Sequence, residues 1–272
     1  MNISVLGCGW LGFPLAQRFL SAGHHVNGST TSENKITLLN QNGIESYLID
    51  FPDSLHDETI DDFLQCDLLF LNIPPSGVGK KQAINYRDLI QSITKKAAEQ
   101  KVSWIIFTSS TSVYDDMGGF VTEEDAQIET ASKGNGKLLL ESEKIIQNSE
   151  SDYTILRFGG LYGYGRHPIH YLSGKSNLDG ASKPVNLIHQ VDCLNIITEV
   201  IAQKKRNMIY NLVSDGHPPR KEFYTSAARY YKIAPPKFKA DSGSNYKVVS
   251  NEKVKFDLNY TFSYPNPMDH TP

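Results

Sequence analysis

The stretch Ile3-Ser4-Val5-Leu6-Gly7-Cys8-Gly9-Trp10-Leu11-Gly12, continued by Phe13-Pro14-Leu15-Ala16-Gln17-Arg18-Phe19-Leu20 and closed at Gly23, decides the fold. Ile3 to Leu6 is a short run of β type. Leu11, Leu15, Ala16, Phe19 and Leu20 then recur at helical spacing until Gly23 stops the helix. Between strand and helix, Gly7, Gly9 and Gly12 fit GxGxxG. That spacing acquires chemical meaning only in such a setting, where backbone N–H groups and the helix N-terminus meet a pyrophosphate. Both flanks are present, so the segment reads as a dinucleotide turn and not as a merely structural one. Gly7, Gly9, Trp10, Leu11 and Gly12 are the residues expected on the cofactor.

Such a turn is ordinarily completed by an Asp or Glu at the end of the second strand, about twenty residues on, which holds the 2′-hydroxyl of NAD. This chain has Gly28-Ser29-Thr30-Thr31-Ser32 there, with hydroxyls and no carboxylate. An acid would repel a 2′-phosphate, so its absence favours NADP(H) over NAD(H), with Ser29, Thr30 and Thr31 as ribose-side residues and Lys35 as the nearest cation. The alternative is that Thr31 or Ser32 only caps the following helix.

Outward from this opening, short apolar runs alternate with amphipathic stretches, the mark of a parallel sheet with helices on its faces. Strands are expected at 25–29, 46–49, 67–73, 103–108, 153–157 and 208–213, with helices over 33–42, 86–100, 137–148, 193–202 and 221–231. The run Asp67 to Ile73 is stopped by Pro74 and Pro75, and Pro74 is counted among the cofactor residues. The helix over 137–148 is expected to present Leu138, Leu139, Ile145 and Ile146 on one face. Residues 159–184 turn to Gly, Tyr, His and Ser, an irregular composition that often carries function.

The bulk properties bound the function. The 272 residues carry 27 basic and 30 acidic side chains, a net charge of −3, so no basic stripe exists for nucleic-acid phosphates. No run approaches the eighteen or so apolar residues of a membrane span, and the glycines break the apolar opening where an export signal wants a continuous helix. Cys8, Cys66 and Cys193 are odd in number and lie in no metal spacing, so they read as buried, reduced thiols of a cytoplasmic protein. His167 and His170, three residues apart without a third ligand nearby, do not make a metal site.

Four stretches in order carry a resemblance to a known family. They are the glycine turn, Phe107-Thr108-Ser109-Ser110-Thr111-Ser112-Val113-Tyr114, Leu156-Arg157-Phe158 through Tyr162-Gly163, and Asn186-Leu187-Ile188-His189-Gln190-Val191-Asp192. The chain resembles the extended short-chain dehydrogenase/reductase superfamily of NAD(P)-dependent epimerase/dehydratase type over nearly its whole length, and most of all an atypical bacterial branch, the YeeZ-type proteins. The resemblance implies a Ser that hydrogen-bonds the substrate oxygen, a Tyr that moves the proton, and a Lys four residues beyond it on the nicotinamide ribose. The Ser falls on Ser110 and the Lys on Lys137. Four residues before Lys137 stands Lys133, so the usual Tyr is missing.

A lysine beside a lysine cannot replace a phenol tuned by an ammonium, because two like charges disfavour each other. Gly134 and Gly136 also delay the helix, which is expected to begin near Lys137. Tyr162 and Tyr164, after the sixth strand, are the alternative proton donors, and Tyr162 is taken as the catalytic candidate; Tyr114 is expected to pack below the site. Arg166 and His167 are assigned to an anionic substrate group. His189 and Asp192 match a family position that fixes a loop.

The expected fold is α/β, a Rossmann-like doubly wound parallel sheet with a small C-terminal substrate lobe. Residues 1–163 and 185–213 form the NAD(P)-binding domain, and 164–184 with 214–272 form the lobe. The expected function is an oxidoreductase or epimerase/dehydratase-type enzyme acting on a small molecule, anionic or nucleotide-sugar-like. The alternative is a weakly active or inactive NADP(H)-binding regulatory or redox-sensing protein. A homodimer is compatible with the reading; nucleic-acid and membrane partners are not expected.

Overall fold

Apolar runs without alternation become strands covered on both faces, and the periodic stretches between them become the covering helices. In a computed structural model that describes residues 1–75, 85–128, 135–240 and 245–269, the elements follow in this order: β1 (Asn2–Leu6), α1 (Gly12–Ser21), β2 (His25–Thr30), α2 (Glu33–Gln41), β3 (Glu45–Leu48), α3 (Glu58–Phe63), β4 (Leu68–Leu71), α4 (Tyr86–Glu99), β5 (Trp104–Ser110), β6 (Gly119–Val121), α5 (Asn135–Gln147), β7 (Asp152–Phe158), β8 (Gly160–Tyr162), β9 (Leu187–His189), α6 (Gln190–Ala202), β10 (Met208–Leu212), α7 (Arg220–Tyr230), β11 (Lys247–Val249) and α8 (Glu252–Leu258).

Seven strands form one mostly parallel sheet in the order β10-β7-β5-β4-β1-β2-β3. β1 pairs in parallel with β2 and with β4, β2 with β3, and β4 with β5. The order reverses at β1, whose two neighbours are the second and fourth strands. The C-terminal ends of β1 and β4 therefore flank the switch point at which open α/β sheets bind ligands. This is the Rossmann-like α/β architecture expected from the sequence. Two further parallel pairs, β6 with β11 and β8 with β9, stand outside the main sheet.

The chain divides into two compact units. The first comprises Met1–Ser109, Lys133–Leu156 and Lys204–Ile209. Its core holds all of β4 and the β5 residues Trp104 to Phe107, and the buried indole donates from Nε1 to Thr154 Oγ1 at 3.0 Å. α4 buries Tyr86, Leu89, Ile90, Ile93 and Ala97 at helical spacing and packs against α5. The second unit comprises Ser110–Ser132, Arg157–Gln203 and Tyr210–Pro272. Its core groups Tyr162, Ile169, Val185, Leu187, Phe223 and Ala227.

Two details of α5 differ from expectation. The helix begins at Asn135, two residues earlier, and takes Gly136 into its first turn, where N–H groups have no intrahelical partner to lose. Its buried face is Leu139, Leu140, Glu143 and Ile146, with Leu138 and Ile145 half-buried, so the face is rotated and includes a carboxylate. Hydrophobic counting assigns such a residue to solvent; a buried partner described below reverses that. All three cysteines are buried and unpaired, and among the described residues no helix is long and apolar enough to cross a membrane.

Candidate functional site

The glycine turn is built by three different constraints. Gly7 has φ +106°, and a Cβ there would lie 2.6 Å from the Asn72 carbonyl oxygen. Gly12 opens α1, and a Cβ on it would lie 2.2 Å from the Gly7 carbonyl oxygen. Gly9 is neither strained nor crowded: a Cβ on it would meet nothing within 4 Å. The first and third glycines thus let chain segments touch, whereas the second leaves open space beside the turn. The first turn of α1 carries no acidic residue, so nothing there opposes an anion. These features fit a dinucleotide pyrophosphate, with Gly7 to Gly12 as its cradle.

Asn72, the first residue after β4, completes the turn. Its Nδ2 donates to the Gly7 carbonyl at 3.0 Å, joining the ends of β1 and β4 at the switch point. The reading from sequence omits Asn72, although a polar residue directly after a fully apolar run is a legible signal.

The hydroxyls at the end of β2 divide their work. Ser29 Oγ accepts the Gly7 N–H at 2.8 Å, and the Ser29 carbonyl accepts the Cys8 N–H at 2.8 Å, so this buried serine supports the turn from beneath. Thr30 Oγ1 accepts the Ser32 N–H at 3.1 Å, and Thr31 is exposed. Ser32 occupies the N-cap of α2 without a side-chain cap hydrogen bond. The Cys8 thiol is raised to about 12 by burial, against the opposing pull of the Ser29 backbone and the Lys35 ammonium, so it stays protonated. Pro74 is exposed after β4.

At the end of β5, the Ser109 hydroxyl donates to Glu143 Oε1 at 2.5 Å with both residues buried. This bond accounts for the carboxylate on the inner face of α5. Lys137, on the same helix, is exposed, and Lys133 lies outside the described residues.

Ser110 opens a tight turn in the second unit, where its Oγ accepts the Ser112 N–H at 3.1 Å. Tyr114 closes that turn and is buried: its hydroxyl donates to Asn211 Oδ1 at 2.6 Å and accepts from Arg157 Nη1 at 2.8 Å. Burial raises its phenol far above the ordinary value, so Tyr114 packs, as the sequence suggests, and does not titrate.

The tyrosine and histidine residues of 160–170 form an aromatic cluster. Tyr162 is 1% exposed and meets the rings of His167 and His189 edge-on at 6.1 and 5.1 Å. Burial pushes its phenol up, while the neighbouring Ser214 hydroxyl acts in the opposite direction. Tyr164 is more than half exposed, at the tip of a tight hairpin closed by the Gly163 and Arg166 backbones. His167 is buried between Phe223 and Tyr231, and its Nδ1 accepts the Ile169 N–H at 3.2 Å. Arg166 is exposed.

His189 caps α6 through Nδ1, which accepts the Val191 N–H, and stacks on Tyr264 at 3.7 Å. Asp192, fully buried, accepts from the Tyr260 hydroxyl at 2.6 Å and from the Ser263 and Tyr264 N–H groups at 2.7 and 3.0 Å. It pins residues 260–264 to the start of α6.

Residues 7–188 match the family model described as NAD(P)H-binding. The chain is 33% identical to Protein YeeZ of Escherichia coli (strain K12) over 98% of its own length and 97% of that protein's. Its fold is similar to that of the UDP-glucuronic acid 4-epimerase from Bacillus cereus in complex with NAD, with TM-score 0.80 and 19% identity over 100% of this chain and 97% of that one. It is also similar to the UDP-glucose 4-epimerase of Thermotoga maritima with UDP-glucose, with TM-score 0.75 and 14% identity over 100% and 97% of the two chains.

Proposed function

The chain belongs to the NAD(P)H-binding family, and from that premise we propose that it is an NADP(H)-dependent oxidoreductase or epimerase/dehydratase-type enzyme acting on an anionic, nucleotide-sugar-like small molecule. The observation that carries the reading is the open space beside Gly9 at the switch point, where a pyrophosphate fits the backbone and a side chain would exclude it. The absence of a carboxylate at the end of β2, with Thr31 exposed and Lys35 nearby, supports NADP(H) over NAD(H). The epimerase likeness supports the substrate class.

When bound, the nicotinamide supplies or accepts a hydride. The protein's own residues take the remaining roles. Ser110 hydrogen-bonds the substrate oxygen, and Lys137 holds the nicotinamide ribose. The buried Tyr162 phenol, with its raised pKa, serves as a neutral hydrogen-bond donor and not as a group that ionises near neutral pH. Arg166, exposed beside the Tyr164 hairpin, meets the anionic part of the substrate. His167, packed between aromatic rings, shapes that region instead.

A second reading is favoured by the missing tyrosine: with Lys133 and no tyrosine four residues before Lys137, the protein binds NADP(H) as a sensor and turns over little. Stopped assays of NADPH oxidation against carbonyl compounds and nucleotide sugars, run beside NADPH titrations, separate the two. Turnover that disappears in Tyr162→Phe or Tyr164→Phe at unchanged NADPH affinity supports the enzyme. NADPH binding without turnover across the whole panel supports the sensor, and failure to bind NADPH rejects both.

A further inference from the structure

Lys247, at the start of β11, is the least exposed of the lysines in the ion pairs of the second unit. Its Nζ donates to the Tyr114 carbonyl at 2.5 Å and lies 3.7 Å from Asp116 Oδ1. Lys183 reaches the other oxygen of the same carboxylate at 2.6 Å. Two ammonium groups therefore converge on one carboxylate, directly after the turn that Ser110 opens. Asp115 acts on Lys247 as well, more weakly than Asp116, so the two ammonium groups share one carboxylate in direct contact while a second acts at lesser strength.

Both lysines are mounted rigidly. Asn186 clamps β11 from both sides of Val248: its Nδ2 donates to the Lys247 carbonyl at 3.1 Å, and its Oδ1 accepts the Val249 N–H at 2.8 Å. The Lys183 backbone closes a turn onto the Gly180 carbonyl, and its own carbonyl accepts the Arg220 N–H at 2.8 Å. Across the ladder from Lys247 stands Gly119, where a Cβ would meet nothing within 4 Å. No side chain is therefore placed opposite Lys247 on this ladder. Burial lowers the Lys247 ammonium below its ordinary value, the desolvation cost that a further anion would offset.

We propose that Lys247 and Lys183, linked through Asp116 beside the Ser110–Tyr114 turn, form a recognition site for an anionic oxygen of the substrate, a carboxylate or a phosphate. The assignment rests on the reading of Ser110 as the residue that meets the substrate. It adds two lysines far apart in sequence to the one exposed arginine already assigned to that role. Arginine is the conservative exchange for charge at Lys247, and methionine is close in shape without charge.

The test is calorimetric titration of the NADPH-saturated protein with UDP-glucuronic acid, UDP-glucose and inorganic pyrophosphate. Lys247→Met and Lys183→Met should each weaken UDP-glucuronic acid by about tenfold or more, Lys247→Arg should retain most of the affinity, and NADPH should bind equally to all. An equal loss for UDP-glucose and pyrophosphate places the contact on the diphosphate; a loss confined to UDP-glucuronic acid places it on the sugar carboxylate. The proposal is overturned if both methionine variants bind like the unaltered protein, or if the NADPH-loaded unaltered protein binds none of the three probes. Failure to bind NADPH at all would instead sink the cofactor reading. Lys183, being the more exposed of the two, keeps the test open should Lys247→Met fold poorly.

Discussion

Asn72 donates its side-chain amide to the Gly7 carbonyl at 3.0 Å, tying the end of β4 to the end of β1 across the point where strand order reverses. The bond holds the Gly7 peptide in the orientation that a positive φ requires. Asn72→Ala should lower unfolding free energy by about 1 kcal/mol and weaken NADPH measurably, through a turn that is no longer preorganised. Urea unfolding and nucleotide fluorescence check this; unchanged NADPH affinity at reduced stability would confine Asn72 to a structural role.

The three glycines of the turn should respond differently to substitution. Gly9→Val places its side chain in open space, so the fold should survive while NADPH binding is abolished. Gly12→Ala drives a methyl against the Gly7 carbonyl oxygen and should destabilise the protein by about 1–3 kcal/mol. Circular dichroism melts and cofactor titrations of the two variants give opposite patterns if the geometry is right. A Gly9→Val protein that binds NADPH normally would falsify the cofactor site.

Thr31 is exposed at the end of β2, whereas Ser29 and Thr30 already accept backbone N–H groups. The unaltered protein should bind NADPH more tightly than NADH. Thr31→Asp should reverse the order by about tenfold or more, since the carboxylate repels a 2′-phosphate and accepts a 2′-hydroxyl. Paired titrations with the two nucleotides decide the point, and a clear preference of the unaltered protein for NADH counts against it.

Glu123 is buried, its Oε1 accepting the Asn211 N–H at 2.7 Å. Burial raises its carboxyl above the ordinary value, opposed by that hydrogen bond and more weakly by the Lys253 ammonium. An acid whose folded-state pKa lies above its unfolded one contributes stability at low pH and loses that contribution as pH rises through the folded value. Glu123→Gln keeps the acceptor oxygen but cannot ionise. Its stability relative to the unaltered protein should therefore be more favourable near pH 7 than near pH 4. Urea melts at both values test this, and a difference that does not move with pH would show that the Glu123 carboxyl has the same pKa in the folded and unfolded states.

The sequence was most legible where the relevant contacts are local. GxGxxG between a strand and a helix needs only residues 3–23 to be recognised, because the turn, the helix start and the close approach of Gly12 to Gly7 lie within one supersecondary unit. The alternating apolar runs likewise announce the parallel sheet, since a strand covered on both faces has to be apolar throughout. The helix over 135–147 was found but its inner face was not: Glu143 turns inward because Ser109, 34 residues earlier, meets it at the end of β5. No periodicity encodes a partner on another element.

By itself the sequence determined the Rossmann-like α/β class, the dinucleotide turn and the missing tyrosine before Lys137, all of which depend on residue type and short spacing. Tertiary structure alone decided which polar groups are used up in support and which stand beside open space. It spent Ser29 on the glycine turn, enclosed Tyr162 and His167 among rings, set Asn72 against Gly7 from 65 residues away, and brought Lys247 to the Tyr114 carbonyl from 133 residues away. Burial and desolvation act through space, and a chain read in order carries no record of the neighbours that folding brings to each side chain.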